Sequence, residues 1–228
     1  MTFQTKKAGF SLPAASRAMR NVPMASAGHC TTHVVLGDGA GVHVQGESIL
    51  EMRLQFILNA RREVADMREQ VRFFYGWNPA KQKQHVFDLV VTLVDGTVIA
   101  YAIKPEVRLE SGRFMQEMQE VAWWVRTKGF ADDVRIMSDA DIQPVALHNA
   151  HIIAALRGHD DPEADLIAHR VVMDLESGAA RSLRSLTIET GLSDRGYRGL
   201  LGLVRKGILE PLSHEKIRPE TLMRRART

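Results

Sequence analysis

The apolar positions of this chain change spacing several times, and the spacing predicts a mixed domain. Between residues 47 and 62 apolar side chains recur every three or four positions, the period of an amphipathic helix. A second stripe of this kind covers about 109–128. Strand-like apolar runs are found at 71–75, 85–94, 97–104 and 134–137. This order of helix, strands, helix and strand indicates an α/β domain that ends near residue 140.

Two further segments precede this pattern. Residues 1–28 are rich in Ala, Ser, Pro and Met without clear periodicity, and we expect a flexible basic arm there. Residues 33–45 contain two β-like runs around a glycine-rich turn, which predicts a hairpin. A phosphate-binding loop is the alternative, but such a loop needs a helix directly behind it, and here a second strand follows. The first folded domain is therefore expected over 29–140.

The pattern after residue 140 is helical and predicts a second domain over 141–228. Helices are expected at about 145–157 and 162–176, then a helix and turn at 183–193, a helix at 194–206 and a hairpin-like segment. This succession is the plan of a winged helix, whose second helix enters a DNA groove or docks on a protein. The sequence leaves both uses open.

Composition limits the class of protein. The chain has 228 residues, of which 45% are hydrophobic and 25% charged, the proportions of an ordinary globular protein with a core of its own. A single cysteine, Cys30, excludes an internal disulfide and fits a reducing compartment, so we expect a cytoplasmic protein. No apolar run approaches the roughly 18 residues of a membrane span, and no membrane is expected among its partners.

Basic charge is concentrated at the two ends of a nearly neutral chain. The formal net charge is +3, and the first acidic residue is Asp38. The arm before it also resembles an organellar transit peptide. The basic residues predicted to bind DNA or a protein partner near the C-terminus are Arg195, Arg198, Arg205 and Lys206. Such clusters suit a polyanion, because Lys and Arg drive phosphate binding, although a solubilising tail has the same composition.

Three ionisable residues of the α/β domain interrupt apolar surroundings. Glu51 lies on the same helical face as Leu54, and a carboxylate there is costly to bury unless it is paired or bound to a metal ion. A glutamate at the solvent-facing edge of the helix is the alternative. Asp88 interrupts an apolar strand, where it either lines a site or is a satisfied structural aspartate. Lys104 ends the next strand, just before a proline.

The turn at Asp95-Gly96 decides whether Asp88 and Lys104 meet. A two-residue turn puts the two side chains on opposite faces of the hairpin. A three-residue turn, with the glycine in the left-handed conformation, shifts the pairing by one position. Asp88 then lies opposite Ala102, and Lys104 is one step further along the same face. A shared site requires this second register.

Two carboxylates and a lysine are the parts that metal-dependent phosphodiester hydrolysis needs. Carboxylates hold one or two divalent cations, which activate water and neutralise the charge that develops on the phosphate. Mg²⁺ prefers such oxygen ligands, and Mn²⁺ suits the same ligands. A nearby lysine positions the water or helps to deprotonate it, and stabilises the transition state. We therefore expect Glu51, Asp88 and Lys104 to be catalytic, with the two carboxylates as metal ligands.

The same residues belong to a longer set of motifs that resembles a known family. The set runs in order through Glu51, Arg68-Glu69-Gln70, His85, Asp88, Asp95-Gly96 and Ile103-Lys104-Pro105. It looks like the family of TnsA, the endonuclease subunit of heteromeric transposases, over about residues 45–140, and the winged-helix plan also has a counterpart in that family. The resemblance implies a restriction-endonuclease-like fold and Mg²⁺-dependent nicking of DNA at transposon ends. It also implies a DDE-type transposase subunit and an AAA+ transposition regulator as partners.

Ala102 departs from the family pattern, since members usually carry Gln or Glu at that position. An alanine offers a metal ion only its backbone carbonyl, or room for a water. Glu110 is a candidate for a displaced carboxylate. The sequence therefore leaves two further hypotheses open. One is a catalytically inactive relative that acts as a structural DNA- or transposase-binding subunit, and the other is a winged-helix regulator with an unrelated N-terminal domain.

Overall fold

The computed structural model describes residues 12–20, 22, 30–176 and 178–226 of a mixed α/β protein. In chain order, the first elements are β1 (Thr32–Leu36), β2 (Val42–Gly46), α1 (Ile49–Asn59), β3 (Val64–Tyr75), β4 (Lys83–Leu93), β5 (Val98–Ile103), α2 (Glu106–Leu109), α3 (Arg113–Lys128) and β6 (Asp133–Met137). The later elements are α4 (Pro144–Ala154), α5 (Pro162–Met173), β7 (Ala180–Ser182), α6 (Leu183–Thr190), α7 (Asp194–Arg205), β8 (Leu209–Pro211) and β9 (Leu222–Arg225). None of the described helices is long and apolar enough to cross a membrane.

The centre of the first part is a four-stranded sheet in the order β3-β4-β5-β6. The first three strands are antiparallel, and β6 joins β5 in parallel after the crossover through α2 and α3. On one face α3 packs through Val121 and Val125 against Phe87. On the other face lie α1 and the β1–β2 hairpin, with Leu54 in the apolar cluster. Because the sheet is covered on both faces, its strands are nearly continuous apolar runs in the sequence.

The turn between β4 and β5 has the three-residue form. The Leu93 N–H donates to the Thr97 carbonyl over 2.8 Å. Gly96 has a φ of 89°, a conformation that a residue with a Cβ adopts only with strain. Continued by one residue, the register of the two strands sets Asp88 opposite Ala102. Of the two registers that the sequence left open, the structure therefore has the one that a shared site requires.

Two predicted elements have different bounds in the structure. The single helix expected over 109–128 is divided into α2 and α3 by Gly112, which has a φ of 68°. The strand expected at 71–75 begins earlier, at Val64. Its first half carries Asp66, Arg68 and Glu69. Because these residues are charged, a pattern of apolar positions does not predict this part of the strand.

The described part of the predicted flexible arm, residues 12–20, lies against the body of the protein. Ala14 forms a parallel bridge with Val42 on β2. The Met19 N–H donates to the Gln70 carbonyl over 3.2 Å. The rest of the predicted arm, 1–11, 21 and 23–28, is outside the described residues. The described part adds backbone pairing that the composition of the arm does not predict.

The C-terminal part contains α4 to α7 and a three-stranded sheet in the order β7-β9-β8. Its core is a separate apolar cluster that includes Leu183, Leu200 and Met223. The helices α5 and α7 cross closely at Gly199. A Cβ at that position would lie 2.9 Å from the Ala164 carbonyl oxygen, so the crossing requires a glycine there. The expected helices and final hairpin are present, and β7 was not predicted.

The two parts are joined by packing across a shared surface. Ile153 of α4 belongs to the C-terminal cluster, whereas Ala154 packs against the cluster beneath α1. The Arg157 guanidinium donates to the Ala40 carbonyl over 2.8 Å. The predicted boundary at residue 140 therefore lies just before a helix that contacts both parts.

Candidate functional site

Glu51 lies in the first turn of α1, where the start of the helix fixes its carboxylate. Ser48 is the N-cap, and its hydroxyl accepts a hydrogen bond from the Glu51 N–H over 3.1 Å. The same hydroxyl donates to Glu51 Oε1 over 2.8 Å, and the Glu47 N–H donates to Oε2 over 2.9 Å. A serine followed three residues later by a glutamate is a known signal for a helix start. The cap therefore holds the carboxylate in a defined position.

Burial and a second carboxylate raise the pKa of Glu51. The residue is 6% exposed. Desolvation, and after it the charge of Asp88, raises the pKa from 4.5 to about 6, although the hydrogen bonds from Glu47 and Ser48 act against this shift. The folded protein thus disfavours the ionised form of Glu51. A bound cation would reverse this effect, because an opposite charge favours the carboxylate.

Asp88 on β4 is held by the backbone of β5 and lies near a cation. Its Oδ2 accepts a hydrogen bond from the Ile103 N–H over 2.6 Å. Burial raises the pKa of Asp88, whereas Lys104 and this hydrogen bond lower it. Lys104 also contributes, after burial, to the low pKa of His85, about 4. The structure therefore brings Glu51, Asp88 and Lys104 into one electrostatic cluster.

Strands β3 and β4 change face at the level of Asp88. Residues an even number of positions apart in a regular strand share a face. Two pairs break this rule. On β4, Phe87 packs in the cluster beneath α3 and Leu89 in the cluster beneath α1. On β3, Val71 and Met67 are divided in the same way. On β3 the change coincides with Gln70, which has a φ of 52°. This left-handed conformation costs a residue with a Cβ about 1 kcal/mol or more, and such irregularities cluster at functional sites.

Gln70 connects Glu51 to the N-terminal arm. Its Nε2 donates to Glu51 Oε2 over 3.2 Å, and its Oε1 accepts from Arg20 Nε over 2.8 Å. The Arg20 guanidinium also pairs with Glu47 at 2.7 Å and helps to lower the pKa of Asp88. The arm thus places a cation among three carboxylates. The sequence analysis missed Arg20, and its signal was the absence of acidic residues from the arm.

Ala102 leaves no side-chain donor opposite Asp88. It is 1% exposed and packs in the apolar cluster beneath α3. Glu110, the candidate for a displaced carboxylate, is exposed at the C-cap of α2. It is not among the charges that shift the pKa of Glu51 or Asp88. Nothing in the geometry directs Glu110 to the site.

The oxygen ligands at this site are of the type that Mg²⁺ prefers, but there are few of them. Among the described residues, no group of three or more His, Cys, Asp or Glu side chains is placed to hold a metal ion. Glu51 and Asp88 offer two carboxylates. The Ala102 carbonyl, the expected further ligand, points away from them, because the N–H of the same trans peptide, that of Ile103, donates to Asp88 and the carbonyl therefore faces β6. Mg²⁺ is commonly held by one or two carboxylates together with waters and substrate phosphates. The residues therefore fit a cation that binds together with a phosphate.

The predicted basic residues of α7 already have partners within the chain. Arg195 pairs with Asp161 at 2.6 Å and with Glu163 at 2.7 Å. The remaining contacts join Arg205 to Asp38 at 2.5 Å, Lys206 to Asp165 at 3.8 Å and Arg198 to the Ala155 carbonyl at 3.4 Å. The side-chain hydrogen bond from Arg195 lowers the pKa of Asp161 to about 2. These contacts fasten α7 to α5 and to the β1–β2 turn.

Comparison with known proteins adds no relative. The sequence matches no protein-family model and no curated protein. Function is therefore inferred from the geometry of the site and from the motifs that it contains.

Proposed function

We propose that this chain is a metal-dependent DNA endonuclease of the TnsA type, which nicks DNA at transposon ends. The observation that carries the proposal is the register of β4 and β5, which sets Asp88 beside Lys104 while α1 brings Glu51 to the same cluster. Two buried carboxylates with raised pKa values destabilise the fold unless a cation offsets their charge, and groups of this kind cluster at functional sites. The mixed sheet between α1 and α3 supports a restriction-endonuclease-like fold.

In this proposal Glu51 and Asp88 hold Mg²⁺, with waters and substrate phosphate completing its ligands, and Mn²⁺ serves in its place. The bound ion would supply a water of lowered pKa and offset charge on the phosphate. Lys104 orients the attacking water and donates to a phosphate oxygen as negative charge develops there. Glu51 must be ionised to hold a cation. Activity is therefore expected to rise with pH through about 6.

The C-terminal part serves partner binding in this proposal. The strand β7 between α5 and α6 and the sheet order β7-β9-β8 support a winged helix. Three of the predicted basic residues are ion-paired within the chain, namely Arg195 and Arg205 of α7 and Lys206 directly after it. A helix that reads a DNA groove needs such side chains free for phosphates and bases. We therefore assign this part to contact with a DDE-type transposase subunit and an AAA+ regulator.

A second candidate function is a catalytically inactive subunit that binds DNA or the transposase. Two observations favour it. Ala102 supplies no side-chain ligand, and Arg20 already neutralises Glu47 within the carboxylate cluster. A protein of this kind keeps the fold and the basic surfaces but binds no divalent cation between Glu51 and Asp88.

Nicking of transposon-end DNA by the assembled transposase tests the proposal. The wild-type chain, Asp88→Asn and Lys104→Ala are compared in Mg²⁺ and in EDTA, with the exposed Glu110→Gln as a matched control. Asn at position 88 keeps an oxygen to accept from the Ile103 N–H, so loss of activity is not loss of folding. We expect Mg²⁺-dependent nicking from the wild type and the control only.

Two outcomes contradict parts of the proposal. If the assembly nicks equally well with Asp88→Asn and Lys104→Ala, the catalytic assignment is wrong. If the wild-type assembly forms on the DNA but does not nick, and Mn²⁺ does not stabilise the purified chain against thermal unfolding, the inactive subunit is the correct description.

A further inference from the structure

An open groove of about 810 Å³ begins at Lys104 and runs to the start of α3. Three basic side chains line it, those of Lys104, Arg108 and Arg113. The carboxylate in its lining is that of Glu117, which lies 3.8 Å from the His85 ring nitrogen. The side chains that line the groove therefore have an excess of positive charge next to the carboxylate cluster.

Within the described part of the chain, the two arginines of this groove have no carboxylate partner, whereas Lys104 faces Asp88. Many other arginines of the chain form ion pairs, as Arg17 does with Asp66 and Arg195 does with Asp161. Among the described residues, neither Arg108 nor Arg113 forms a salt bridge. An arginine presents five donors in a planar fork that matches phosphate oxygens. Two unpaired arginines in one groove therefore suit a phosphate ligand.

The start of α3 adds donors of the same kind. Gly112 is the N-cap, with a φ of 68° and without a side-chain hydrogen bond to the first turn. The first N–H groups of a helix lack partners within the helix and favour anions. The Ser111 hydroxyl lines the same groove. The Lys104 ammonium lies 5.7 Å from the centre of the Phe114 ring, which ties the catalytic cluster to this helix start.

We propose that this groove binds the sugar-phosphate backbone of nucleic acid, with Arg108 and Arg113 on phosphates next to the one that Lys104 contacts. The proposal rests on the proposed function for its substrate, since it sets the path of the cleaved strand. An open groove leaves room for a strand that continues beyond it on both sides. Backbone contacts fix the position of such a strand without reading its sequence. The ligand class is therefore a polynucleotide strand.

DNA binding by the full chain at several salt concentrations tests this inference. A fluorescent duplex is titrated in EDTA, where no cleavage takes place, with the wild type and with Arg108→Ala/Arg113→Ala. The matched control is Arg126→Ala, an exposed arginine thirteen residues further along α3 and therefore about 20 Å from Arg113. Each lost phosphate contact lowers the slope of log K against log salt by about 0.9.

The double variant is expected to bind duplexes of any sequence about tenfold or more weakly, with a salt slope smaller by about 2. Arg126→Ala should bind as the wild type does. Equal affinity and slope for the double variant and the wild type would overturn the inference. The same result, with inorganic phosphate stabilising only the wild type against heat, would also overturn it and assign the groove to a small anion.

Failure of this inference is distinct from failure of the proposed function. If the assembly nicks in Mg²⁺ and the double variant binds DNA normally, the nuclease assignment stands and the groove assignment falls. If the double variant loses DNA affinity but the wild-type assembly never nicks, the groove stands and the nuclease assignment falls.

Discussion

Replacing Glu51 with glutamine is expected to stabilise the protein above pH 6, although it removes a proposed metal ligand. Burial and the charge of Asp88 raise the pKa of Glu51 from 4.5 to about 6. A difference of one pKa unit between the folded and unfolded states corresponds to about 1.4 kcal/mol. The ionised carboxylate therefore destabilises the fold by about 2 kcal/mol. Glutamine keeps an acceptor for the Glu47 N–H and adds a donor for the Ser48 hydroxyl.

The sign of the pH dependence follows from the raised pKa. Between pH 4.5 and 6 the folded protein retains the Glu51 proton that the unfolded chain has lost. Stability is therefore full below pH 4.5 and declines as the pH rises through 6. The wild type should lose about 1 kcal/mol from this group between pH 5 and pH 8, and Glu51→Gln should not. Urea unfolding at both pH values measures the difference, with Glu110→Gln as the exposed control.

A divalent cation should stabilise the wild type but not Glu51→Gln. At pH 8 a saturating cation, about 100 times its Kd, would stabilise the wild type by about 2.7 kcal/mol. It should leave Glu51→Gln nearly unchanged. The reasoning is refuted if Glu51→Gln is destabilised to the same extent at pH 5 and pH 8. In that case the carboxylate is a satisfied helix cap that has no role in a metal site.

Three further substitutions test neighbouring features. Ala102→Glu should destabilise the chain by about 2 kcal/mol in EDTA, because it buries an unpaired carboxylate, and Mg²⁺ should restore part of the loss in urea unfolding; no effect of either would contradict the packing. Arg20→Ala should raise the affinity for Mn²⁺ several-fold in thermal-shift titrations, because a guanidinium no longer neutralises Glu47, and an unchanged affinity would show that Arg20 is only structural. Arg195→Ala should lower the Tm at pH 7, and its difference from the wild type should shrink as the pH falls through about 2, where Asp161 is protonated. A difference that persists below pH 2 would show that packing, and not the charge of Asp161, explains the loss.

The turn between β4 and β5 shows how far local sequence goes. Asp95-Gly96 predicts a tight turn, but Gly96 suits both a two-residue and a three-residue form, so two registers stayed open until the structure showed the second. The start of α1 is similar. The apolar pattern placed it near residue 47, and the structure begins the helix at Ile49, where Ser48 caps it.

Tertiary contacts decided the parts that the sequence did not predict. The first half of β3 carries charges that no local rule assigns to a strand, and its Asp66 is paired with Arg17 of the arm, which is 49 residues away. The left-handed Gln70 is likewise supported from a distance, since the Met19 N–H and the Arg20 side chain bond to it. Contacts between residues so far apart in the chain form only when the backbone folds, and they produce no periodic pattern in the sequence.

The sequence by itself therefore determined most strands of the sheet, the two registers open to Asp88 and Lys104, and the absence of a side-chain donor at position 102. Their cause is local, since helix caps, turn conformations and strand alternation act over a few residues. Only the tertiary structure decided that Arg20 lies among the carboxylates and that Arg108 and Arg113 share a groove with Lys104. The physical reason is that burial and charge act through space, so a pKa or an ion pair depends on neighbours that the chain brings together only when it folds.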